Sequence, residues 1–116
     1  MHDPNGTKFI FQLRVGLSSL KSHKKRHNFV DTPDDRCDCH GTHEDTFHFL
    51  FTCPLYANQR VVLLNSVSNV LIMNNLEHLS ERVELYLYGH SSLHPAENNA
   101  IILSTIKFIN DSDRCH

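Results

Sequence analysis

The sequence predicts a small all-α domain of four or five helices with one ordered loop. Apolar residues recur at spacings of three and four in several segments, and helix caps and breakers bracket those segments. Strand signals are weak, leaving room only for a tiny hairpin around residues 37–41.

Taken in order, residues 1–7 read as a flexible start, with Pro4 and Gly6 as breakers. A helix then runs from residue 8 to about residue 27. Ile10, Leu13, Leu17 and Leu20 form its apolar face, while Arg14, Lys21 and Lys25 share an exposed stripe. Gly16 inside it costs about 1 kcal/mol relative to Ala. Residues 31–45 are a polar loop rich in turn formers. Asp45 or Thr46 caps a short aromatic helix, which Cys53-Pro54 interrupts. Pro54 suits the first turn of the next helix, residues 54–71, with Val61, Leu64, Val67 and Leu71 on one face. Asn74-Asn75 ends it. Ser80 precedes a short helix that Gly89 closes, and a linker covers 90–94. Pro95 opens the last helix, with Ala100, Leu103, Ile106 and Ile109 on one face. The reading is one helical domain over residues 8–110 and a flexible tail over 111–116.

Composition narrows the function classes. At 116 residues with 40% hydrophobic and 21% charged, the chain suits one folded domain and excludes wholesale disorder. It has no run of about 20 apolar residues and no signal-peptide core at its start, so the expectation is an intracellular protein, nuclear or cytoplasmic, not secreted and without a membrane partner. Net charge is -2 but unevenly spread. Lys8, Arg14, Lys21, Lys24, Lys25 and Arg26 face a single acid, Asp3, in the first thirty residues. The rest of the chain is acidic, so a polyanion would meet the N-terminal third.

Three of the four cysteines fall within residues 37–53, among several of the ten histidines. In an intracellular chain such clustering points to metal before disulfide. Cys37, Cys39, His48 and Cys53 form C-x-C-x8-H-x4-C, three thiolates and an imidazole, the donor set of a structural zinc ion. His40 and His43 compete with His48 for the third place. The aromatic neighbours of His48 favour it, because a buried imidazole needs a partner. On a continuous α-helix His48 and Cys53 would lie about 140° apart. The helix must therefore end before Cys53, where Pro54 marks a break. Cys115 reads as a free thiol, and His90 and His94 as surface residues.

Two runs carry a resemblance. One is Leu13-Arg14-Val15-Gly16-Leu17-Ser18-Ser19-Leu20 with His23, Arg26, His27, Asn28 and Phe29. The other is Cys37-Asp38-Cys39-His40-Gly41, Glu44, Thr46, His48-Phe49-Leu50-Phe51 and Cys53-Pro54-Leu55-Tyr56. Together they resemble the C-terminal CCHC-type zinc-binding region of non-LTR retrotransposon reverse transcriptases, as do Leu87-Tyr88-Gly89 and the closing helix. One departure is His40, which stands before Gly41 where family copies place glycine directly after the second cysteine. The resemblance implies one structural zinc on Cys37, Cys39, His48 and Cys53, and a role in handling RNA or target DNA beside a reverse transcriptase core. Arg14, Lys21, Lys24, Lys25 and Arg26 are the expected phosphate contacts, with His23 and His27 as added donors and Phe29 or Tyr56 as stacking rings. The polymerase aspartates and an endonuclease site are not among these residues. Asp34-Asp35 lacks the apolar flanking strand such aspartates need. No nucleophile–base pair or phosphate-cradling glycine loop is visible, so the expectation is a non-enzymatic module without a small-molecule substrate. The alternative is a zinc-stabilised helical domain that docks on protein or is inert.

Overall fold

The computed structural model describes residues 4–16, 18, 20, 36–39 and 43–113. Four α-helices lie among them: α1, Pro4–Val15; α2, Ala57–Met73; α3, Val83–Tyr88; and α4, Pro95–Ser112. A π-helical turn, His48–Thr52, and a 3-10 turn, Pro54–Tyr56, precede α2, and a second 3-10 turn, Glu77–Leu79, follows it. The all-α expectation holds. The predicted hairpin reduces to one antiparallel bridge between Arg36 and His43. No helix among the described residues is long and apolar enough to cross a membrane.

Helix α1 departs from the sequence reading at both ends. It begins at Pro4, because proline suits a first turn whose amides have no partner. It stops at Val15, because Gly16 adopts a left-handed φ of 72° and works as the residue just past the helix end. The continuous helix expected through Gly16 is therefore broken. Ile10, Leu13 and Leu20 are buried as predicted, Phe9 joins them, and Leu17 lies outside the described residues.

Helix α2 ends in a Schellman arrangement. Asn75 takes a φ of 58°, its amide donates to the Ile72 carbonyl, and the Leu76 amide reaches the Leu71 carbonyl at 2.8 Å. The predicted asparagine stop is thus a backbone cap. The buried face of α2 is Arg60, Leu63, Val67 and Leu71, with Leu64 at its edge. Val61, expected inside, is 57% exposed, because the stripe is turned so that Arg60 points inward.

Helix α4 is the central element and packs against α1, α2 and α3. It buries Ile101, Thr105, Phe108 and Ile109. The predicted face fails at Leu103, which is 64% exposed, and at Ala100. Thr105 is tolerated inside because its hydroxyl donates to the Ile101 carbonyl at 3.0 Å. The helix continues to Ser112, past the expected domain end at residue 110. At its start, His94 is extended before Pro95, and the Glu97 carboxylate accepts from the His94 amide at 3.1 Å. The same carboxylate accepts from Asn74 Nδ2 at 2.9 Å, which ties the end of α2 to the start of α4.

Two outcomes test these joints. Gly89 closes α3 at a φ of +83°, and an added Cβ would lie 2.6 Å from the Asn98 side chain. Asn98 in turn holds the backbone of His90 by two hydrogen bonds, at 2.8 and 3.1 Å. Gly89→Ala should destabilise the domain by roughly 1–3 kcal/mol in denaturant titration. At Glu97, the Asn74 and His94 hydrogen bonds hold the carboxyl below its ordinary value of 4.5. A depressed carboxyl stabilises the fold above that value and loses its contribution as pH falls through the lowered one. Glu97→Gln should melt below the parent near neutral pH, and the two melting curves should converge in acid.

Candidate metal centre

The site is built where the loop meets the helices. The Asp45 carboxylate accepts the His48 amide at 2.8 Å, and the Asp45 carbonyl accepts the Phe49 amide at 3.0 Å. Asp45 thus caps the turn as the sequence suggested. The helix then widens, and the Cys53 amide donates five residues back to the His48 carbonyl at 2.8 Å. This π turn removes the angular conflict of an α-helix, because a wider turn brings residues five apart onto one side. Cys53 itself is extended, at φ -61° and ψ 122°, as a residue before proline must be. The helix does end before Cys53, but only after the widening has aligned its ligands.

The four predicted ligands converge. One ligand atom from each of Cys37, Cys39, His48 and Cys53 lies within 4.8 Å of the others. Cys37 Sγ is 3.5 Å from Cys53 Sγ, and Cys39 Sγ is 3.4 Å from His48 Nε2. A tetrahedral ion with bonds of about 2.3 Å to sulfur and about 2.0 Å to nitrogen sets such edges at about 3.8 and 3.5 Å. Those two edges come within a few tenths of an ångström of the tetrahedral values, and the wider separations, up to 4.8 Å, must contract by up to about 1 Å around one ion. Cys37, His48 and Cys53 are buried, and Cys39 is half-exposed. Burial pushes the Cys37 thiol up to about 12 and raises the Cys53 thiol as well. A Cys37 thiol held that high is protonated at neutral pH, so a bound ion must displace its proton. With four protein ligands a tetrahedral shell is complete and keeps no position for a reacting water.

Among the described residues, the alternative ligands stand apart from the cluster. His43 is exposed and paired in the bridge to Arg36, and His40 lies outside the described residues. His90 and His94 serve the turn and cap between α3 and α4: His90 Nδ1 accepts the Ser92 amide at 3.1 Å, and the His94 amide is held by Glu97.

Arg60 is the residue that sequence reasoning passed over. It is buried, and its guanidinium donates to the carbonyls of Leu50 at 2.8 Å, Cys53 at 2.8 Å and Phe49 at 3.0 Å. Burial lowers its pKa from the ordinary arginine value, and the neighbouring Cys53 thiol opposes that shift. The signal was present as an arginine at the head of the stripe Leu63, Val67, Leu71. Phe49 completes the join from the loop side, ringed by Phe108 at 5.1 Å, Tyr56 at 5.3 Å and Phe9 at 6.0 Å. Tyr56, a candidate stacking ring, is thus part of this aromatic core. Glu44, quoted only as part of the resemblance, is also buried.

The expected phosphate contacts divide. Lys21, Lys24, Lys25 and Arg26 lie outside the described residues, as does Phe29. Arg14 is half-buried rather than on an open stripe. Its Nε donates to the Leu87 carbonyl at 2.6 Å, and its guanidinium lies 5.2 Å from the Phe11 ring and 5.1 Å from the Tyr88 ring. Tyr88 returns a hydrogen bond to the Arg14 carbonyl at 3.0 Å. The pair ties the end of α1 to the end of α3, where carbonyls lack helical partners.

Comparison of the chain with known protein families, with curated proteins and with solved structures finds no match. The ligand assignment therefore rests on the geometry, and it makes a direct prediction. His48→Ala should abolish tetrahedral cobalt binding, read from visible absorption, while His43→Ala should leave stoichiometry and spectrum unchanged.

Proposed function

We propose that this chain is a zinc-stapled helical module, of the kind found C-terminal to the polymerase in non-LTR retrotransposon reverse transcriptases, and that it assists binding of RNA or target DNA. The observation that carries the reading is the convergence of Cys37, Cys39, His48 and Cys53 in the CCHC order of that region. Zinc is the ion of choice for a closed set of three thiolates and one imidazole. The ion is structural: it fixes a polar loop that buries little apolar surface of its own. The module binds and does not catalyse, and it acts beside a polymerase core. The cationic run Lys21, Lys24, Lys25 and Arg26 supplies the phosphate contacts.

One observation favours a second reading, a zinc-stabilised domain that docks on protein. Arg60 is the single charged residue of α2 and is buried, so the outer face of that helix, with Val61, Val62, Ile72 and Met73 exposed, carries no charge. Interface centres are depleted in charge, and phosphate would find no cation there.

Cobalt titration followed by nucleic-acid binding separates these readings. One ion per chain, with thiolate charge-transfer absorption sized for three sulfurs, is the expected first result. Replacing Lys21, Lys24, Lys25 and Arg26 with Ala should then weaken RNA or DNA binding more than tenfold and flatten the log K against log salt slope by about 3. Unchanged affinity in that variant would refute the phosphate assignment. A metal-loaded parent that binds neither RNA nor DNA would favour the protein-docking reading.

A further inference from the structure

We propose that Arg60 sets the affinity of the metal centre, as a positioning residue for Cys53 and as the buried countercharge to the loaded cluster. The inference rests on reading Cys37, Cys39, His48 and Cys53 as a metal site.

The positioning half follows from the hydrogen bonds. Phe49 and Leu50 belong to the π turn that carries His48, and Cys53 is itself a ligand. Carbonyls at the end of a helical turn have no amide partner. Arg60 satisfies three of them from one guanidinium, at 2.8, 2.8 and 3.0 Å. Its rigid fork can meet three acceptors at once, which a lysine ammonium on a flexible stem does far less well. The guanidinium also lies 5.9 Å from the Phe108 ring of α4, so its place is fixed from the helical side. The spacing between His48 and Cys53 is therefore held by a residue of α2 that touches no ligand atom itself.

The countercharge half follows from simple accounting. A divalent ion bound by three thiolates and a neutral imidazole carries a net charge of about -1. Cys37, His48 and Cys53 are at most 5% exposed, so water screens that charge poorly. A buried charge without a partner is costly. Arg60 is 7% exposed, and all its hydrogen bonds go to uncharged carbonyls. Its positive charge, held 2.8 Å from the carbonyl of the ligand residue Cys53, is thus free to offset the net charge of the loaded centre. A merely structural arginine would stabilise the metal-free and loaded forms alike. This one favours the loaded form.

The test uses the full chain and cobalt(II), with affinity measured by competition against a chelator. Arg60→Met, which keeps the bulk and removes charge and donors, should weaken cobalt binding 10–100-fold, the usual effect of losing an outer partner of a ligand. It should also lower thiolate-to-cobalt absorption per bound ion. Leu71→Ala, at the far end of α2, is the control for general destabilisation and should cost much less affinity with an unchanged spectrum. Arg60→Lys should recover part of the affinity through charge alone. If Arg60→Met does not fold, Arg60→Lys decides, with a loss of about tenfold expected. The proposal is overturned if Arg60→Met, or Arg60→Lys in its place, stays within threefold of the parent. It is overturned equally if Arg60→Met merely matches Leu71→Ala in affinity and spectrum. A parent chain that binds no cobalt would overturn the metal reading itself, and this proposal with it.

Discussion

Arg60 stands where helix α2 meets the π turn that carries His48, and its three hydrogen bonds are the seam between them. On one side are the carbonyls of Phe49, Leu50 and Cys53; on the other is α2, packed against α4. Burying a guanidinium is costly unless its donors are met. Here the partners are carbonyls that a helix end leaves unpaired. Two groups that would each destabilise a core alone satisfy one another, and the π turn is held in place against α2.

The aromatic residues of the turn serve the same join by a different force. Phe49 is held among Phe9, Tyr56 and Phe108, so residues from α1, α4 and the 3-10 turn close over it. Phe51 meets Tyr86 of α3 at 4.9 Å. Tyr86 is buried, its hydroxyl donates to the Ser80 carbonyl at 2.8 Å, and burial pushes its ionisation up to about 12. The turn that carries His48 is therefore anchored through its odd-numbered phenylalanines. Its ligands face the loop, where Cys37 and Cys39 arrive on either side of a tight turn next to the Arg36–His43 bridge. A bound ion would add a third fastening to the hydrogen bonds and ring packing already in place.

Much of this was legible from residue order. The Cys and His spacing named the four residues that the fold brings together as a candidate metal site, because a metal constrains donor type and separation in ways that chance seldom imitates. The Cys53-Pro54 break, the Asn74-Asn75 stop and the Pro95 start were legible because caps act locally, whereas Pro4, read as a breaker, opens α1, and Pro54 opens a 3-10 turn before α2. The helix faces were less so. Residues 54–71 and 95–112 each offer more than one apolar stripe, and only packing chooses between them. Val61 and Leu103 were assigned inward for that reason and lie outside, while Arg60 and Thr105, polar by type, lie inside. Gly16 was read as a tolerated helix residue, but its left-handed φ makes it the terminator of α1.

By itself, then, the sequence determined the all-α class, several of the helix ends and the four residues that could hold a metal ion. These depend on local backbone preference and on the fixed chemistry of thiol and imidazole. Tertiary structure decided the rest. It widened the turn so that residues five apart could share a centre, turned α2 so that a cation faced inward, and drew Arg14 into the junction of α1 with α3. Each of those choices depends on what another part of the chain presents, an unpaired carbonyl or an aromatic ring. Separation along the sequence carries no record of that partner.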